Sequence, residues 1–285
     1  MAKTKETGSA LVPQEDQPVV SAEVPAFLQE VVGEDAGRGV STRSEDNIVP
    51  LVYILQGQSP QVMRGNPQFM EGAAPGSIWL RSYDEAPFIQ GDTGMLFQSC
   101  WFDWDWVRWK PRNAGGGGGQ GFVRRYRQLP GETVEKLLER LGVAEEPDPQ
   151  DNTKRILVFQ DGTGELLVET RYHAGFVLGH APTPLPYIIP LSSTGHQVSR
   201  EWMFKMNNTY VGKTKAPSWA KAWRLRTKLR VRGTQSWYQF TVSEGGWVST
   251  DDYQRGKMLC ESFEAGTKKA AEPESHGSAE EDVPF

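Results

Sequence analysis

The chain has 285 residues, 38% of them hydrophobic, with two cysteines and a formal net charge of −5. No apolar run reaches the ~18 residues a membrane span needs, no apolar segment of a secretory signal opens the chain, and Cys100 and Cys260 cannot make a disulfide framework. These features exclude a helical membrane protein and a disulfide-stapled domain, and lead us to expect a cytoplasmic chain without a membrane partner.

Charge is partitioned along the chain. Residues 1–47 carry −5 and residues 271–285 carry −5, so residues 48–270 carry +5. Between 200 and 232 ten Lys/Arg stand against the single acid Glu201. A basic body with acidic ends fits a polyanion binder that screens its own site, although acidic ends also serve solubility.

Residues 1–46 are rich in Glu, Asp, Gly, Ser and Pro, and only PAFLQEVV has helical spacing. This stretch reads as a flexible acidic arm. From Ile48 the text becomes IVPLVYILQGQSP, an apolar run bounded by Pro and Gly that predicts a buried strand. Further strands are expected over 77–81, 94–110, 154–160, 165–170 and 186–191, with DGTG at 161–164 joining two of them as a hairpin. In GETVEKLLERLG, Val134, Leu137, Leu138 and Leu141 recur at helical spacing and Gly142 marks the stop. Helices are also expected over 196–207 and 250–264, the latter capped by Thr250 or the acids after it. After Gly266 periodicity is lost, and residues 266–285 read as a disordered acidic tail.

Many short strands and few helices predict a mainly β (α+β) fold over residues 47–265, an antiparallel barrel or small sandwich with appended helices.

Two stretches carry the chemistry. In AWRLRTKLRVRG, alternate residues put Trp223, Leu225, Thr227, Leu229 and Val231 on one face. Arg224, Arg226, Lys228, Arg230 and Arg232 fall on the other, five cations along roughly 27 Å at ~3.3 Å per residue. SWYQFTV then completes a hairpin, with Tyr238, Phe240 and Val242 on one side and Trp237, Gln239 and Thr241 opposite. Cations that follow phosphates and rings that stack on bases are what sequence-tolerant single-strand binding requires. The plainer alternative is an edge strand charged against aggregation, which needs one or two such residues rather than five.

The second stretch is CWFDWDWVRWKPR, where Cys100, Phe102, Trp104, Trp106 and Arg108 share one face and Trp101, Asp103, Asp105, Val107 and Trp109 the other. Some of these rings must be core. Arg108, Lys110, Arg112, Arg124, Arg125 and Arg127, with Trp109 and Tyr126, bracket a glycine run at 115–121. That run lacks the Gly-Lys-Ser/Thr of a phosphate-binding loop, and fits either a flexible basic loop or a plain connector. Asp103 and Asp105 are a carboxylate pair without a nearby third acid or His. The four histidines are scattered, and no catalytic or metal-ligand spacing is present. The expectation is a non-enzymatic chain that needs no cofactor and no metal.

The final residues AEEDVPF resemble the acidic tip of bacterial and phage single-stranded DNA-binding proteins. The body, in LVYILQGQSPQV, WVRWKPR, IIPLSSTGHQVSREW and the 222–242 hairpin, looks like phage proteins of that type. The resemblance implies an oligonucleotide/oligosaccharide-binding (OB) barrel coating single-stranded DNA in phage replication, recombination or repair, in the host cytoplasm. It implies that Asp282, Val283, Pro284 and Phe285 dock replication or recombination proteins, with Glu280 and Glu281 as the electrostatic lead-in. A strand-annealing mediator, and an interaction protein whose tail mimics a host tip, are the alternatives; a homo-oligomer stays open. The expected DNA groove is the cationic face of 224–232, completed by the basic residues around the glycine run and by some of Trp109, Tyr126, Trp237 and Tyr238.

Overall fold

Proline 50 breaks the first apolar run in two. The computed structural model describes residues 48–81, 88–110, 121–149, 151–180, 184–233 and 235–270. In it, β1 (Ile48–Val49) and β2 (Val52–Ile54) flank Pro50, which has no N–H to give to a ladder. β2 pairs with β3 (Ile78–Leu80), and β3 with β4 (Phe88–Ile89), in a small antiparallel sheet.

The main sheet is built on two long strands. β5 (Met95–Trp109) is followed by β6 (Phe122–Tyr126), helix α1 (Val134–Leu141), β7 (Val143–Asp148), β8 (Asp151–Phe159) and β9 (Leu166–Leu178). β5 and β9 pair antiparallel from Leu96↔Leu178 to Trp109↔Leu166. The predicted helix forms where expected. The Thr133 side chain caps its N-terminus by accepting from the Lys136 N–H, and Gly142 closes it in the left-handed region at φ 64°.

β10 (Pro186–Ser192) pairs with β9, and α2 (Gly195–Asn207) follows. After the small β11 (Tyr210–Val211) and β12 (Thr214–Lys215) ribbon come β13 (Lys221–Arg232) and β14 (Gln235–Trp247). The chain continues into α3 (Thr250–Glu264) and β15 (Lys269–Ala270). Ser249, one residue before the expected cap, accepts from the Asp252 N–H at the start of α3. β15 pairs parallel with β1, so ordered structure runs past the expected boundary at Gly266.

The fold is mainly β and antiparallel in its main sheet, as the sequence predicts. The barrel does not form: the strand order β14-β13-β5-β9-β8-β7 leaves β14 and β7 as unjoined ends. Two lobes share the β5–β9 ribbon instead. At one end β13 pairs with β5 over Met95–Gln98 while β10 lines β9. At the other, β6 pairs with β5 over Trp106–Trp109 and β8 meets β9.

Alternation along these strands fills three apolar clusters. Met95, Phe97, Val177, Ile189, Trp223 and Leu225 meet Trp202 of α2 and Ile78 and Leu80 of β3 on one face of the first lobe. Tyr172, Ala174, Phe176 and Ile188 meet Leu259 and Phe263 of α3 on the other. Trp106, Phe159 and Leu167 close over Leu137 of α1 in the second lobe. Cys100 departs from the expected face. A bulge between Ser99 and Trp101 leaves it without a register partner and turns it toward Tyr172 and Ala174. Trp101 stacks on Phe263 at 4.6 Å, so it and Trp106 belong to the core.

His173 is fully buried, stacked on Trp202 at 4.2 Å with its Nε2 2.9 Å from Ser199 Oγ. Burial, reinforced by the charge of Arg171, pushes its pKa down to about 3, whereas the unfolded chain titrates near ~6.5. The unfolded state thus binds the proton first as pH falls, so stability is complete above ~6.5 and declines toward acid. Denaturant unfolding between about pH 6.5 and 5, above most carboxylate titration, should show a falling midpoint that flattens in His173→Phe. A wild-type midpoint level across that window counts against a neutral buried histidine.

Candidate nucleic-acid interface

The cationic hairpin starts in the core and leaves it. Trp223, Leu225, Phe240 and Val242 are buried on the underside of β13 and β14. Farther out, Leu229 and Val231 are 46% and 67% exposed, so the last turns of the hairpin are wetted on both faces. The register puts the cations on the upper face against polar residues and one ring: Arg224↔Ser243, Arg226↔Thr241, Lys228↔Gln239, Arg230↔Trp237 and Arg232↔Gln235. The alternation read from the sequence therefore holds on both strands.

Protecting an edge needs one or two charges, whereas β13 carries five on one face, the outer ones beyond its pairing with β5 over Ala222–Leu225. β13 lies between β14 and β5 at its base, and β14 is the outer strand. That outer edge is itself covered: the Gln56 amide donates to the Tyr238 carbonyl and accepts its N–H, while Lys205 Nζ donates to the Val242 carbonyl. Among the described residues, Arg224, Arg226, Lys228 and Arg230 have no acidic partner. Arg226, Lys228 and Arg230 are exposed.

A second cationic surface was expected around the glycine run. Arg112 and most of that run lie outside the described residues. Lys110 and Arg124 are exposed. Arg108 is committed to the fold: it pairs with Glu165 and with Asp161 at 2.6 Å, lies 3.8 Å over the Phe159 ring, and is held far above the ordinary guanidinium range. Burial would lower the pKa of Arg127, but Asp103 and Asp105 outweigh it; Arg127 pairs with both, at 3.3 Å for Asp105. The carboxylate pair thus has a structural partner, and no group of three His, Cys, Asp or Glu that could hold a metal occurs among the described residues. Arg125 lies 5.1 Å over the Tyr172 ring and Arg124 5.6 Å over Tyr126.

The aromatic candidates separate as sharply. Trp109 packs edge-on against Phe122 and Tyr126 tilts onto Phe159. Tyr238 sits on the underside, its ring against Gly76. Only Trp237 shares a face with the hairpin cations, directly across from Arg230.

The structure does not join the two basic regions into one groove. Leu225 meets Met95 at the start of β5, and beyond it β13 runs away from β6, while Arg108 faces Arg124 near the other end. Thirteen residues of strand separate these registers, roughly 43 Å at ~3.3 Å per residue. The two basic regions thus lie toward opposite ends of β5.

The hairpin instead meets α2. Ser193, Thr194, Gln197 and Arg200 face Arg230, Arg232, Trp237 and Gln239 across an open cleft of about 530 Å³. Sequence reading did not single out Arg200; its helix gave no sign of which strand it would face. The predicted docking residues Glu280, Glu281, Asp282, Val283, Pro284 and Phe285 lie outside the described residues. No described helix is long and apolar enough to cross a membrane.

Among known proteins, a family model described as Pam3 phage gp34-like protein matches residues 15–269. No curated protein and no solved structure matches the chain.

The hairpin is pinned at Gly91, whose carbonyl accepts the Thr227 N–H. A Cβ at Gly91 would stand 1.9 Å from Thr227 Oγ1 and 2.2 Å from the Gly76 carbonyl oxygen. Gly91→Ala should therefore cost ~1–3 kcal/mol by overpacking. Gly57→Ala, with nothing within 4 Å of the new atom, should cost little. Denaturant midpoints of the two variants compare them directly, and equal midpoints would remove this clasp from the account.

Proposed function

We propose that this chain, which belongs to the Pam3 phage gp34-like family, is a non-enzymatic single-stranded DNA-binding protein acting in the host cytoplasm. The observation that carries the reading is the upper face of the β13–β14 hairpin. Five cations alternate along one strand, four lack an acidic partner among the described residues, and Trp237 stands in register beside them. Their repeat of about 6.6 Å, two residues of strand, is close to the spacing of successive phosphates in an extended single strand. Duplex DNA would offer the same charge but no free base faces for Trp237.

An OB barrel is not required for this role. An open antiparallel sheet with a supported, projecting hairpin presents the same combination of phosphate-tracking cations and a stacking ring. Arg224, Arg226, Lys228, Arg230 and Arg232 follow the backbone, and Trp237 takes a base. Arg108 and Arg127, bound to acids of the fold, hold the second lobe together instead. The acidic stretch 279–285 recruits replication or recombination proteins, a role that rests on its likeness to the tip of single-stranded DNA-binding proteins.

Quenching of tryptophan fluorescence by poly(dT) at several salt concentrations tests the reading. Log affinity should fall with log salt by ~0.7 for each phosphate neutralised. Trp237→Ala should weaken binding by ~1–3 kcal/mol, and Arg226→Ala with Lys228→Ala should lower both the affinity and the salt slope. Removing residues 279–285 should abolish partner capture while leaving DNA bound. Affinity indifferent to salt, or greater for duplex than for single strands, refutes the proposal.

A further inference from the structure

The cleft between α2 and the hairpin tip has a construction that the rest of the cationic strip lacks. Gln239 is 92% buried, being 8% exposed, although it lies on the polar face opposite Lys228. Its Nε2 donates to the Thr194 carbonyl at the start of α2, and its Oε1 accepts from Arg230 Nε at 3.2 Å. One buried amide therefore joins helix to hairpin and fixes the Arg230 guanidinium, leaving its two terminal nitrogens for other acceptors. Across the same opening stands Arg200, exposed and without an acidic partner among the described residues. Ser193 and Thr194 line the same cleft, as does Trp237, whose buried indole N–H has no partner.

Two arginines brought from different elements to one open cleft, with Ser193 and Thr194 in its lining, fit a tetrahedral oxyanion better than a carboxylate. Arginine favours phosphate through its planar fork of donors. A ring beside that anion site suits a planar group attached to the same ligand. Free single charges on a strand supply a sliding surface, whereas a pre-oriented arginine facing a second one supplies a fixed point.

We propose that this cleft is a nucleotide clamp: Arg200 and Arg230 hold one phosphodiester of the bound strand, and the neighbouring base lies on Trp237. The clamp deepens the single-strand reading and rests on it. It makes α2 part of the interface and gives the strand one anchored nucleotide, from which the chain continues along Lys228, Arg226 and Arg224.

Arg200→Ala separates the clamp from the strip, because Arg200 is exposed on a helix and belongs to neither hairpin strand. Binding of a fluorescently labelled short oligothymidylate would be followed by anisotropy across a salt series for the wild type, Arg200→Ala and Arg226→Ala. With the clamp, Arg200→Ala should lose about tenfold in affinity, as for a hydrogen bond to a charged group, and should reduce the salt slope by ~0.7, one phosphate. Arg200→Lys should restore the slope but not the whole affinity, since a point charge replaces the fork. If Arg200→Ala binds like the wild type while Arg226→Ala is impaired, the clamp is wrong and the strip stands. If both variants bind like the wild type, the clamp and the single-strand reading fall together.

Discussion

Everything in this fold hangs on the pairing of β5 with β9. The ribbon runs from Leu96↔Leu178 to Trp109↔Leu166 and is longer than either lobe that uses it. Each lobe borrows one end: β13 and β10 at the first, β6 and β8 at the second. A shared spine of this kind sets the separation between the lobes, since neither can slide without breaking register along the whole ribbon. The bulge at Cys100 falls on this spine between the two flanking contacts, where added local twist can re-aim one lobe against the other.

That spine also decides which charges can act together. Arg108 and Arg127 lie in the second lobe and are consumed by Asp161, Glu165, Asp103 and Asp105. The ion pairs tie the DGTG turn and the segment just after β6 to β5, so their role is to brace loops against the ribbon. In the first lobe Lys221 pairs with Glu244, but Arg224, Arg226, Lys228 and Arg230 have no acidic partner among the described residues. Two basic segments of similar composition thus differ in how their charges are paired, because one is surrounded by carboxylates from elsewhere in the chain.

This difference is also where sequence reading stops. Period-two alternation gave the faces of β13 and β14 correctly, because a strand's side-chain direction is local. Val134 to Leu141 and Gly142 specified α1 for the same reason. Arg108 and Glu165 are 57 residues apart, and Arg127 and Asp103 24 apart, so their pairing depends on which strands become neighbours. Arg200 and Trp237 line one cleft only because α2 packs against β14. The expected barrel rested on strand number alone, which does not say whether the end strands meet. Here Gln56 and Lys205 take up the Tyr238 N–H and the Tyr238 and Val242 carbonyls on the outer edge of β14, where a closing strand would otherwise pair.

The proposed polyanion ligand is consistent with the charge of the hairpin itself. Five like charges about 6.6 Å apart along one strand repel by roughly 0.6 kcal/mol for each neighbouring pair in water, reduced further by salt. The free protein carries this cost while Leu229 and Val231, beneath the outer cations, are exposed and repay little by burial. What holds the outer hairpin in place is the clasp: Gln56 on Tyr238, Gly91 and Gly76 on Thr227, and Gln239 between Arg230 and Thr194. These contacts are polar, directional and placed on backbone or buried amides, so they fix the strand's position without neutralising its charge. On the single-strand proposal, a surface held in this way would lose little conformational freedom on binding, and arriving phosphates would relieve the repulsion. An array built only for solubility would need neither the rigidity nor the register, and the clasp supplies both.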